Sequence, residues 1–317
     1  AQIAQARSTG CDRVQVRRHR RMGHLDHEVG IREGWGGSRP DGQDGDGDQE
    51  ASEHGLTLRA GPPGGQVVRD PGTVLGILVA AAIVLPPVDV PADYQLGGAY
   101  PPPPGVGVVA RDRSDDPVSG AYNICYVNGF QTQPGQRRWW LRVHPDLVLR
   151  RGGRVVSDPG WPGEMLLDTS TAAKRRAITH VVGRWIDRCG RDGFQAVETD
   201  NLDSWTRSGG LLTRTHNRAL ARLLATRAHA RDLAFAQKNA ASLTGAPFFD
   251  FAVVEECQRY AECGRFLRRY EDRVIEIEYR RRDFTAACRS HGDRIAVVLR
   301  DRELRPDMSR GYRFAVC

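Results

Sequence analysis

Lysine is almost absent from this chain. Of its 46 basic residues only Lys174 and Lys238 are lysines, so 46 − 2 = 44 are arginines. No CxxC pair occurs among the seven cysteines, and no Cys/His grouping has the spacing of a structural zinc site. No apolar run exceeds the twelve residues of 74–85, too few to cross a bilayer as a helix, so no stable membrane span is expected. No Gly-rich phosphate turn opens a helix either. Gly97-Gly98 ends the first strand-like segment, but prolines follow, which disfavours nucleotide binding.

The net charge of +7 raises nucleic acid as a partner. The one dense basic cluster, Arg17-Arg18-His19-Arg20-Arg21, lies far from the segments with apolar periodicity, and elsewhere Arg alternates with Asp and Glu as on a solvated surface. Nucleic-acid binding is therefore not expected. Residues 1–73 are rich in Gly, Arg, Asp and His and read as low-complexity chain, either disordered or not part of the mature protein. Residues 41–48 look like a calcium loop without its bidentate Glu, so no metal is assigned to them.

The apolar run at 74–85 has the length of a secretory h-region with Arg69 upstream, and residues 74–92 read as a signal-like run and a proline-rich linker. The expectation is an exported or cell-surface bacterial protein. A Cys257–Cys263 disulfide closing a small loop would agree; the competing reading is buried free thiols, which Cys125, inside an apolar strand, is expected to be.

From residue 93 the pattern changes. Eight strand-like segments recur at 94–98, 106–110, 122–128, 194–199, 233–238, 249–255, 274–279 and 295–299. Between them lie helical stripes, the clearest being Ile178, Val181, Val182, Trp185, Ile186 and Cys189, stopped by Gly190. Strands alternating with helices imply a parallel sheet, and eight within this length predict a (β/α)8 TIM barrel over residues 93–317. An open doubly wound sheet is the alternative.

Reactive groups in such a barrel gather at the carboxyl ends of its strands. Here those ends carry Asp112, Tyr126, Glu198, Asp200, Asn201, Asp203, Lys238, Asn239, Glu255, Glu278 and Tyr279, mostly acids and without histidine. Two carboxylates on separate strands are what glycoside hydrolysis requires, one to attack or activate water and one to protonate the leaving oxygen. Asp200 and Glu255 are the pair: alternation puts Asp200 on one face with Phe194, Ala196 and Glu198, and Glu255 on one face with Phe249, Phe251 and Val253. Lys238, a point charge kept where the chain otherwise uses Arg, is suited to an acid or a substrate oxygen. Trp205, just past the acidic turn, can stack on a sugar ring, while Trp139-Trp140 remain open.

Taken together these segments resemble glycoside hydrolase family 114, the endo-α-1,4-polygalactosaminidase-like barrels. The matching residues are Gly193-Phe194, Val197-Glu198 and Asp200-Asn201-Leu202-Asp203, then Lys238-Asn239, then Phe249 to Val253 with Glu255 and Cys257. Tyr94-Gln95-Leu96-Gly97, Ile124-Cys125-Tyr126, Leu167-Asp168 and Glu278-Tyr279 match as well, so the likeness covers residues 93–317. The chain departs at Asn128-Gly129-Phe130-Gln131-Thr132, which marks a distinct branch. The resemblance implies a TIM barrel that cleaves α-1,4-linked galactosamine polymers without a cofactor. It places the catalytic Asp at Asp200 and the catalytic Glu at Glu255, and the Cys-x5-Cys loop at Cys257 and Cys263. The remaining strand-end residues and Trp205 would bind substrate. The enzyme is expected to be retaining and to act as a monomer on its polysaccharide. The alternatives are a non-catalytic carbohydrate-binding barrel and a metal-dependent hydrolase using Glu198, Asp200, Asn201 and Asp203.

Overall fold

The computed structural model describes residues 82–317 apart from residue 89. The readings of residues 1–73 and of most of the apolar run at 74–85 fall outside the described residues. Eight parallel strands form the sheet: β1 (Ala92–Gln95), β2 (Val108–Asp112), β3 (Tyr122–Asn128), β6 (Ala196–Asp200), β7 (Ala234–Lys238), β8 (Phe251–Glu255), β9 (Val274–Glu278) and β10 (Ala296–Arg300). They neighbour one another in chain order, and β11 (Phe314–Val316) adds antiparallel to β10. A small hairpin, β4 (Arg150–Arg151) and β5 (Arg154–Val155), interrupts the series.

The helices are α1 (Arg137–Val143), α2 (Ala172–Asp192), α3 (Arg214–His229), α4 (Cys263–Tyr270) and α5 (Arg281–His291). No helix follows β1 or β2, and one 3-10 turn serves between β7 and β8. Short turns suffice there because the neighbouring strands follow closely in the chain. The longest helix, α2, starts where the Thr171 hydroxyl accepts from the Lys174 amide at 3.2 Å and stops at Gly193, whose φ of 95° suits glycine.

Period-two alternation splits the core into two layers. Tyr94, Ala110, Ile124, Ala196, Ala236, Val253, Ile277 and Val298 belong to one cluster, to which every one of the eight strands contributes; it fills the space the sheet encloses. Their neighbours Cys125, Val197, Phe235, Val254 and Leu299 pack with the helices in a second cluster. The sheet is therefore a nearly closed barrel with a seam between β1 and β10.

A buried arginine ties that seam. Arg300, fully buried on β10, donates from Nη1 to Asp93 Oδ1 at 2.8 Å and also to the Tyr94 carbonyl, both on β1. Its Nε reaches the Arg313 carbonyl at 3.1 Å and its Nη2 the Arg305 carbonyl at 2.8 Å. The Gly97 amide adds a bond to the Leu304 carbonyl at 3.2 Å; any Cβ at Gly97 would lie 2.4 Å from that oxygen, so the crossing needs glycine.

Cys125 is not a free thiol. It is buried on the helix-facing side of β3 and forms a disulfide with Cys189 near the end of α2, 64 residues away. The apolar surroundings that suggested a thiol serve equally well for a cross-link, and nothing local marks the partner. Closing a loop of that length contributes roughly 4 kcal/mol on a chain-entropy account. Cys257 pairs with Cys263, as the loop spacing suggested, and Cys288 pairs with Cys317. Among the described residues no helix is long and apolar enough to cross a membrane.

Candidate active site

Three consecutive barrel strands, β6, β7 and β8, end in the same way. Asp200, Lys238 and Glu255 are their last residues, and the residues that follow, Asn201, Asn239 and Glu256, all have positive φ, of 64°, 46° and 54°. A left-handed residue turns the chain sharply off the strand and leaves the terminal side chain facing the barrel mouth. Asparagine tolerates that backbone well; Glu256 does so at some cost. These ends open on a cleft of about 770 Å³.

At its floor the Lys238 ammonium contacts three carboxylates. Nζ lies 2.8 Å from Glu198 Oε1, 3.2 Å from Glu255 Oε2 and 3.5 Å from Asp200 Oδ1. It also donates to the Tyr94 hydroxyl at 2.6 Å. Burial alone would strip its proton, but Asp200, Glu198 and Glu255 together hold its pKa well above the usual lysine value. Glu198 is fully buried, and burial lifts its pKa despite Lys238 and the Tyr94 hydroxyl. Three acids share one cation, so the group carries an excess of negative charge when all are ionised.

Asp200 and Glu255 are each oriented from the other side too. The Tyr126 hydroxyl donates to Asp200 Oδ2 at 2.8 Å, and the Asn201 amide to Oδ1 at 2.7 Å. Glu255 Oε2 accepts from Asn239 Nδ2 at 3.0 Å, Oε1 accepts from the Tyr279 hydroxyl, and its backbone amide donates to Asn239 Oδ1 at 2.7 Å. Burial pushes the Glu255 carboxyl up, yet Lys238, Tyr279 and Asn239 outweigh it and hold the pKa below the ordinary value. The phenols of Tyr94, Tyr126 and Tyr279 are held protonated by burial and the adjacent acids, so they act as donors.

Asp200 and Glu255 thus lie across one lysine nitrogen. Their nearest oxygens are separated by no more than 3.5 Å and 3.2 Å laid end to end. Tyr126, Asn201, Asp203, Trp205, Asn239 and Tyr279 line the same cleft. Asp203 is matched by Arg207, whose Nη2 lies 2.9 Å away.

Three strand-end acids are placed elsewhere. Asp112 does not line the cleft; it accepts from the Ser114 amide at 2.9 Å and from Gln133 Nε2 at 2.5 Å, stabilising a turn. Glu278 lies on the helix-facing side of β9 with Glu276, because alternation sends Ile275, Ile277 and Tyr279 inward and the glutamates outward. Its Oε1 accepts from the Gln258 amide at 3.0 Å, away from the cleft. Glu198 is inward but lies beneath Lys238, sealed from the cleft, so it positions the lysine instead of touching substrate. Trp139 and Trp140 pack around Trp185 in the outer core.

The cleft also contains a residue that strand-end reasoning missed. Glu164, from the long β3–α2 connection, receives Asn128 Nδ2 at 3.0 Å and Asn201 Nδ2 at 3.3 Å on Oε2. Nearby Trp161 is 54% exposed at the cleft edge. A connection has no periodicity to signal such placement.

The metal alternative needs Glu198, Asp200, Asn201 and Asp203 to converge, whereas these are engaged by Lys238, Tyr126, Glu164 and Arg207 in turn. Among the described residues the one tight set of ligand atoms is Cys257, Cys263 and Glu276, and both cysteines are in a disulfide.

The model of glycoside-hydrolase family GH114 matches residues 78–317. The chain belongs to that family. As a GH114 member it is a glycoside hydrolase with a barrel of the expected kind. Ega3 of Aspergillus fumigatus, solved in complex with galactosamine, superposes with a TM-score of 0.60 at 22% identity, over 75% of this chain and 99% of that one. The glycoside hydrolase domain of PelA from Pseudomonas aeruginosa superposes with a TM-score of 0.47 at 13% identity, over 68% and 96%. A search of curated proteins finds no match to the GH114 chain.

Proposed function

We propose that this glycoside hydrolase cleaves α-1,4-linked galactosamine polymers by a retaining double displacement, with Asp200 as nucleophile and Glu255 as general acid and base. The observation that carries the reading is the common approach of both carboxylates to Lys238 Nζ at the floor of one cleft. Asp200 attacks the anomeric carbon as the glycosidic C–O bond breaks and the leaving oxygen takes the Glu255 proton. Water then gives a proton to Glu255, its oxygen attacks the anomeric carbon, and Asp200 is released. The contact of both acids with one ammonium accommodates the carboxyl separation of about 5–5.5 Å that retention uses.

A cationic amino-sugar chain suits the surplus negative charge around Lys238 despite the positive charge of the whole protein. Trp161 and Trp205 offer aromatic faces to sugar rings at the rim. Incubation with partly deacetylated α-1,4-galactosaminan should release oligosaccharides visible by mass spectrometry, and Asp200→Asn should abolish that release with the fold intact. Polymer binding without release would instead support the non-catalytic barrel.

One observation favours a second assignment. A Glu255 held ionised in the free protein is better prepared to attack than to protonate. Expulsion of water by substrate adds to the burial that opposes Lys238, Tyr279 and Asn239, the change by which the first assignment returns a proton to Glu255. Trapping the glycosyl-enzyme and mapping the labelled peptide distinguishes Asp200 from Glu255.

The three disulfides fit an oxidising compartment, consistent with export. Recovery of the protein from the cytosol alone would contradict that part of the reading.

A further inference from the structure

The carboxylates lining the cleft differ in how they are balanced. Asp203 pairs with Arg207, Glu256 with Arg259 and Arg302, and Glu303 with Arg305. Glu262 is exposed at the rim. Glu164 is half-buried, and among the described residues no lysine or arginine forms an ion pair with it. Both of its hydrogen bonds, from the neutral amides of Asn128 and Asn201, go to Oε2. Among the described residues Oε1 has no hydrogen-bond partner, and Glu164 lines the cleft.

The residue is nevertheless held firmly. Its amide donates to the Trp161 carbonyl at 2.8 Å and its carbonyl accepts from the Asp158 amide at 3.0 Å. Buried Asp158 anchors that turn by accepting from Gln131 Nε2 at 2.9 Å and pairing with Arg207 Nε at 2.7 Å. Asn201, which fixes one side of Glu164, also gives its backbone amide to Asp200. Glu164 is thereby positioned relative to the carboxylate at the end of β6, beside an exposed indole face. Burial, with Asp200 and Asp158, holds its carboxyl at about 7 against the opposing pull of Asn128 and Arg207. A half-buried acid without a counter-cation gains most when a ligand brings one.

We propose that Glu164 selects for sugar units carrying a free, protonated amine, by pairing that ammonium with Oε1 next to Asp200. The assignment rests on the amino-sugar reading above and deepens it. An N-acetylated unit has no charge to offer and would lose this contact while keeping the stacking on Trp161.

The test is calorimetric binding of two α-1,4-galactosamine tetrasaccharides, one fully deacetylated and one fully N-acetylated, in an Asp200→Asn background that blocks turnover. Adding Glu164→Gln should weaken the free-amine tetrasaccharide tenfold or more and leave the N-acetylated one within twofold. Gln has the shape of the protonated Glu, so the variant mimics a state the protein already samples. Glu164→Asp, which keeps the charge, should retain part of the preference and serves if the first variant is unstable. Equal losses for both ligands, no loss for either, or no binding of the free-amine ligand before mutation would overturn the proposal. Turnover by the unmutated protein is measured separately. Its absence beside an intact binding difference would count against the hydrolase reading and not against the role of Glu164.

Discussion

Lys238 Nζ lies 3.2 Å from Glu255 Oε2, and the same nitrogen is 2.8 Å from the sealed carboxylate of Glu198. One cation therefore serves the cleft above and a buried acid below. Lys238→Met should reduce kcat/KM by about 100-fold or more, because it removes the charge that fixes both mouth carboxylates. It should also destabilise the fold by about 3–5 kcal/mol, since Glu198 is left buried without a counter-charge, the Tyr94 hydroxyl alone remaining beside it. Adding Glu198→Gln should recover much of the stability and little of the activity. Urea unfolding and initial rates on the same proteins separate the two effects; recovery of both would reduce Lys238 to a structural role.

The Tyr279 hydroxyl donates to Glu255 and so favours its ionised form, alongside Lys238 and Asn239. Deleting the donor must raise the Glu255 pKa. Tyr279→Phe should move the alkaline limb of the kcat/KM profile, which Glu255 sets as general acid, to higher pH by about one unit, the worth of one hydrogen bond to a charged group. An unmoved limb would mean that Glu255 does not govern it.

Arg300 should matter as much to stability as any residue of the core. It joins Asp93 and the Tyr94 carbonyl on β1 to the chain beyond β10, and both charges of the Arg300–Asp93 pair are fully buried. Arg300→Met should cost about 3–5 kcal/mol by stranding Asp93. Arg300→Lys should recover little, because an ammonium lacks the planar fork that reaches several oxygens at once. A change in the urea midpoint worth less than about 1 kcal/mol would show that the seam closes without it.

Glu278 provides a stability signature against pH. Burial and the neighbouring Glu276 raise its carboxyl from 4.5 to about 8, so the folded state retains a proton that the unfolded chain releases. The associated stability is complete below the ordinary carboxyl range and is lost as pH rises through about 8. Glu278→Gln should remove that decline and gain roughly 1–3 kcal/mol on the parent at the alkaline end, the cost of a poorly solvated charge. Thermal unfolding from pH 5 to pH 8.5 tests it; parallel curves for parent and variant would place the titration elsewhere.

What was legible from the chain follows from how local each feature is. All eight barrel strands appear near their expected segments, although the one expected at 194–199 runs Ala196–Asp200 and the one at 249–255 begins at Phe251. Strict alternation also separates Glu278 from Tyr279, so a reading that held each strand end to a single face would have kept Tyr279 at the mouth and sent Glu278 outward. The Asp112 side chain was beyond such a rule, because its partners Ser114 and Gln133 come from the loops that follow β2 and β3.

The amino-acid order by itself determined which side chains share a face, which segments alternate as strand and helix, and hence that acids and one lysine crowd the carboxyl ends of a barrel. These are properties of neighbours in the chain, set by backbone periods of 2 and 3.6 residues. Only the closed tertiary structure decided which ends meet: that Lys238 reaches Glu198, Asp200 and Glu255 together, that Cys125 finds Cys189, that Arg300 bridges first strand to last, and that Glu164 enters the cleft from a connection. Each of those depends on distances across the barrel, which no local period encodes.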